Sequence, residues 1–99
     1  MRVRFTADAR RAVRDKRAWW EAHREKAPGL FVQELAAAVA KLRERADEER
    51  QRYAIVRGRL IWRILLPRTK LHLYDRIDDA GDVEILAAWN AVSGAAPDL

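Results

Sequence analysis

Apolar residues recur along this chain with two different periods, and the point where the period changes divides it in two. Val3 and Phe5 alternate with Arg2 and Arg4, which predicts a short strand over residues 2–6. Thr6 then stands where a helix N-cap is wanted, with Asp8 favourably placed in the first turn. A first helix is predicted over residues 7–26, with Ala9, Ala12/Val13, Lys16, Trp20 and His23 as its inward stripe. That stripe is thin, so Trp19 and Trp20 are expected to supply most of its buried area, helped by the stem of Lys16.

Ala27-Pro28-Gly29 interrupts the pattern, with Pro28 expected at the first position of a second helix. Phe31, Leu35, Ala38/Val39, Leu42 and Ala46 follow at spacings of three to four, the strongest periodic signal in the chain. The two helices are expected to form an αα-hairpin. The charged stretch 47–52 reads as a solvated loop, Glu48-Glu49-Arg50 included. From Tyr53 the period becomes two, predicting strands over 53–57, 59–66, 70–77 and 83–89, with a tail over 90–99. The expected fold is a single α+β domain over residues 1–99. Its order is β-α-α-β-β-β-β, with a mostly antiparallel sheet carrying the helix pair on one face.

The hairpin over 59–77 admits few registers. A two-residue loop at Arg68-Thr69 pairs Leu66 with Leu71, Ile64 with Leu73 and Arg63 with Tyr74. A slip of one residue would put Lys70, His72 and Arg76 in the core, which their burial cost forbids. Arg63, His72 and Tyr74 are therefore expected together on the face away from the helices, with Arg59, Arg76 and Lys70 at its ends. Asp75 falls on the core side opposite Trp62, either paired with a helix arginine or at the sheet edge.

Charge sharpens this picture. The net charge is +5, but residues 51–77 carry seven cations against one acid, and residues 78–99 carry five acids and no Lys or Arg. Such a polarised molecule suits an anionic partner on one side. With no cysteine and only two histidines, a disulfide or thiolate site is excluded, and neither a metal site nor a cofactor is expected. No apolar run approaches the roughly 20 residues that span a bilayer. The N-terminus also lacks the apolar stretch of a signal peptide, so a cytoplasmic protein is expected.

The fragments Val3-Arg-Phe-Thr-Ala-Asp-Ala9, Trp19-Trp20 and Leu30-Phe-Val-Gln-Glu-Leu35 occur in a telling order. They are followed by Trp62-Arg-Ile-Leu-Leu-Pro-Arg-Thr-Lys-Leu-His-Leu-Tyr74 and Val83-Glu-Ile-Leu-Ala-Ala-Trp89. In order and spacing the chain resembles the RelE/ParE superfamily, the toxins of bacterial type II toxin–antitoxin systems. The Pro-Arg-Thr-x-x-His-x-Tyr hairpin and the closing Trp look more like the ParE-like branch. That resemblance implies a cognate antitoxin, a toxin–antitoxin hetero-oligomer, and DNA gyrase as the target inhibited by direct binding. The RelE-like alternative is a ribosome-dependent mRNA interferase.

An RNase of that kind needs groups to activate a ribose hydroxyl, stabilise the phosphate and protonate the leaving oxygen. The tail from Asn90 to Leu99 offers no Arg, Lys, His or Tyr for those roles, so no catalytic set is assigned. Val92 and Ser93 stand where ParE-like relatives would carry a basic pair, which leaves an attenuated toxin retaining only antitoxin binding as a third alternative. The candidate target-binding residues are Arg63, Arg68, Lys70, His72, Tyr74 and Trp89. Each has a structural alternative: a salt bridge to Asp75 for Arg63, solvation for Arg68 and Lys70, cross-strand packing for His72 and Tyr74. Trp89 either anchors the tail or lines a groove taking an antitoxin segment. Trp19, Trp20 and Trp62 are expected in the core.

Overall fold

The computed structural model describes residues 1–44, 50–92 and 95–99. Its elements run β1 (Val3–Phe5), α1 (Ala7–His23), α2 (Leu30–Arg43), β2 (Arg50–Val56), β3 (Arg59–Leu66), β4 (Leu71–Ile77) and β5 (Val83–Asn90). The strands form one sheet in the order β1-β5-β4-β3-β2. It is mixed: β1 lies parallel to β5, and every other neighbouring pair is antiparallel. Ile64, Leu66, Leu71, Leu73, Val83 and Ile85 pack from the sheet against Ala9 and Trp20 of α1 and Phe31, Ala38 and Leu42 of α2.

One hydroxyl ties the N-terminus into this layer. Thr6 Oγ1 accepts from the Ala9 amide at 3.1 Å, capping α1, and donates to the Leu86 carbonyl at 3.1 Å. Leu86 is the extra residue of a β-bulge, since Tyr74 pairs with Ala87 but Asp75 pairs with Ile85. Thr6 therefore ends a helix and closes a defect in the neighbouring strand.

The α1 stripe differs from expectation at its C-terminal end. The helix stops at His23, and the Trp20 indole donates to the Ala27 carbonyl at 2.8 Å. Trp20 is buried, whereas Trp19 is 43% exposed and His23 is exposed beside it. Successive residues of a helix point about 100° apart, so two adjacent indoles cannot both face one sheet. Trp20 keeps the spacing set by Ala9 and Lys16. Pro28 is not the first residue of α2. Leu30 N donates to the Ala27 carbonyl across a turn in which Pro28 occupies the second place, and Gly29 is the N-cap.

The largest correction concerns residues 50–52, read above as loop. Arg50 opens β2, and its guanidinium forms an ion pair with Asp75. The Arg50 side chain is 5% exposed and that of Asp75 0%. Asp75 thus meets an arginine of a strand rather than of a helix, and it sits opposite Trp62 as the register requires. Trp62 is half-buried rather than core, because Arg50 and Arg52 lie over its ring at 4.6 and 5.7 Å. Glu48, Glu49 and Ala46 lie outside the described residues.

The hairpin register is the one expected, with Leu66↔Leu71, Ile64↔Leu73 and Arg63↔Tyr74. Its loop is four residues rather than two: Pro67 has no amide to donate, and Lys70 adopts φ +58, so neither continues its strand. The β2–β3 loop is the tight one. Arg57 and Gly58 both take positive φ, +52 and +78, as a type I′ turn demands.

The buried pair yields a prediction. Arg50→Ala or Asp75→Asn alone is expected to cost about 3–5 kcal/mol, because the partner stays buried. The double variant Arg50→Met/Asp75→Leu is expected to be less destabilised than either single change, as read from urea midpoints.

Candidate target-binding surface

The helices cover one face of the sheet, and the candidate residues occupy the other. Two cross-strand rows organise that face. One runs Leu65↔His72↔Trp89, and the next runs Gln51↔Arg63↔Tyr74↔Ala87. Alternation along each strand puts these residues opposite the core set.

Tyr74 is 3% exposed, held beneath Tyr53 with ring centroids 4.8 Å apart in an edge-to-face pair. Its place is in the packing under the surface. Arg63 lies over Tyr53 at 5.2 Å, and its Nε donates to Gln51 Oε1 at 3.4 Å. The salt bridge to Asp75 considered above does not form, because the two residues point to opposite faces. His72 lies 6.0 Å from the Tyr74 ring and pairs across the sheet with Leu65, which is 43% exposed. Burial pushes the His72 imidazole below its usual pKa of 6.5, and the Arg63 charge adds to the effect. Trp89 donates its indole N–H to the Ala95 carbonyl at 3.0 Å, so it anchors the tail as well as walling the row.

Arg68 and Lys70 stand exposed at the tip of the hairpin. The tip is held by a residue that periodicity did not single out. Glu34 of α2 accepts from the Arg68 amide at 2.9 Å, the Thr69 amide at 2.9 Å and the Thr69 hydroxyl at 2.6 Å. Glu34 thus positions the basic loop. A lone glutamate on the polar side of a helix gives no sequence signal of such a role, and Tyr53 was hidden by a bulge at its own position.

Charge on this face is sorted by position. At the β1 side Arg4 pairs with Asp78, and Arg76 meets Glu84 at 2.8 Å, so those cations are neutralised. The Asp78 carboxyl is held below its ordinary pKa, first by the Asp82 amide and then by Arg4. Arg63, Arg68 and Lys70 have no carboxylate on their side chains among the described residues. Positive charge therefore concentrates at the hairpin end.

No family model, curated protein or solved structure matches this chain. A guanidinium, an imidazole biased toward neutrality, an indole and an exposed leucine make an amphipathic contact patch beside a cationic tip. Arg63 and His72 are the two groups on the rows able to serve phosphate chemistry, and Tyr74 lies too deep to join them. Among the described residues no three His, Cys, Asp or Glu side chains are grouped to hold a metal ion.

Folded His72 binds a proton less readily than in the unfolded chain, so its contribution to stability is complete above pH 6.5. That contribution is lost as pH falls through the folded-state pKa, and His72→Gln is expected to flatten this part of the stability profile. In an NMR titration Arg63→Gln is expected to raise the His72 pKa without restoring 6.5, since burial is the larger cause. Glu34→Ala is expected to cost about 1–3 kcal/mol by stripping the tip of its acceptor, with faster hydrogen exchange at the Arg68 and Thr69 amides.

Proposed function

We propose that this chain is a ParE-like toxin of a type II toxin–antitoxin system, cytoplasmic, inhibiting DNA gyrase by direct binding and neutralised by a cognate antitoxin. The reading begins from the resemblance of its motifs to the RelE/ParE superfamily. The observation that carries it is the open sheet face, where half-buried Arg63, His72 and Trp89 and the exposed Leu65 form a patch beside the exposed Arg68/Lys70 tip. Such a patch supports recognition rather than bond cleavage, because its rows hold a guanidinium and an imidazole but no accessible third group for proton transfer. Inhibition then comes from contact energy, concentrated in arginine and tryptophan anchors. The helix-covered side is left for the antitoxin in a hetero-oligomer.

One observation favours a second reading, a ribosome-dependent mRNA interferase. His72 is held toward its neutral, proton-accepting form beside a cation that could sit on phosphate. Gyrase and ribosome are separated by experiment. Purified protein is expected to block gyrase supercoiling at near-stoichiometric ratio, with Arg63→Ala raising the required concentration about fivefold or more. Unimpaired supercoiling at excess removes the gyrase reading. Transcript cleavage in a ribosome-containing extract, lost in His72→Gln, would replace it with the second.

A further inference from the structure

Trp19 lies on the helix side of the molecule and belongs to neither the core nor the hairpin surface. Trp19 is 43% exposed, and its surroundings are specific. His23 lies flat against the indole, with centroids 4.5 Å apart and planes 11° from parallel. Lys16 Nζ stands 5.1 Å and Arg24 Cζ 5.3 Å from the ring centroid. Neither cation has a carboxylate partner among the described residues. Burial lowers the Lys16 pKa, and repulsion from Arg24 lowers it further. Two like charges gathered on one ring without a counter-charge favour an anion.

Beside the ring opens a cavity of about 380 Å³, with Ala12, Leu71 and Ala88 as an apolar floor and Lys16, Trp19 and Asn90 as its polar and aromatic wall. The Lys70 carbonyl, next to Leu71, accepts from Ala91 N, next to Asn90, at 2.8 Å, which ties the two strand ends that line the cavity. A planar apolar body and a negative charge are the two properties this site can satisfy together. Nucleotides of a single strand have both, since every base offers a π-face and every linkage a phosphate.

We propose that the Trp19 cavity binds single-stranded nucleic acid, with a base lodged against the indole on the cavity side, the Asn90 amide nitrogen facing the base edge while its oxygen accepts from Val92 N, and phosphate on Lys16 in the cavity and Arg24 beside the ring. Duplex DNA keeps its bases stacked and cannot use the indole. The site is independent of the gyrase reading, and its test contains no gyrase.

The test is fluorescence anisotropy with end-labelled oligo(dT) and oligo(rU), each compared with a blunt DNA duplex at equal salt. Single strands of either sugar are expected to bind more tightly than duplex, and the tighter of the two identifies the source. Trp19→Ala is expected to weaken binding at least about fivefold, while Trp19→Phe, which keeps a ring at an exposed position, retains most of it. Lys16→Gln is expected to lower the salt slope by about one phosphate contact, or 0.7. Arg57→Gln, removing equal charge at the distant β2–β3 turn, is expected to leave the affinity within about twofold. Absence of binding, preference for duplex, indifference to Trp19→Ala, or equal losses from Lys16→Gln and Arg57→Gln would each overturn the proposal.

Discussion

A carboxylate on the core side of a central strand is the constraint around which this sheet is arranged. Asp75 cannot face outward without turning Leu71 and Leu73 outward too, because strand neighbours alternate. It cannot stay inside as a lone charge. Arg50 resolves the conflict from two strands away, across Trp62. The pair therefore acts as a rivet through β4, β3 and β2 on the core side, while Arg63–Gln51 and Tyr53–Tyr74 link the same strands on the outer face. Its stabilising value is small once desolvation is counted, and its effect is to make one arrangement acceptable and others costly.

With the rivet in place, the outer face has no freedom left. The register that satisfies Asp75 also lines up Leu65, His72 and Trp89 in one row and Gln51, Arg63 and Tyr74 in the next. Tyr53, displaced by its bulge, covers Tyr74 and carries Arg63, so the half-buried guanidinium rests on a two-ring base. Asp78 of the β4–β5 turn and Glu84 of β5 cancel Arg4 and Arg76 at one end, and Glu34 holds the opposite end through backbone amides. The tip has its backbone fixed, while Arg68 and Lys70 meet no carboxylate among the described residues.

Much of this was legible in the sequence, for physical reasons that also explain what was not. The element order and the β3–β4 register follow from alternation, because a one-residue slip carries a burial penalty far above thermal energy. Thr6 as a cap follows from hydrogen-bond chemistry local to four residues. Arg50 was missed because its partner lies 25 positions away and a charged run looks alike whether solvated or paired. Trp19 was misplaced because helical spacing was read with a stripe wide enough for both indoles. The four-residue tip escaped because Leu66 and Leu71 keep the same pairing whether or not Pro67 and Lys70 join the strands.

The parallel pairing of β1 with β5 has a consequence in time. Val3 meets Val83 and Thr6 meets Leu86, so the first strand and the cap of the first helix find their partners 80 residues later. During synthesis the N-terminal strand waits through almost the whole length of the chain, while the β2–β4 meander can pair locally. The bulge carbonyl that receives Thr6 is made only after Arg63 and His72 have been added to the chain. Closure of the sheet at β1 therefore depends on β5, and a chain truncated before Val83 has its basic hairpin but no completed layer to support it.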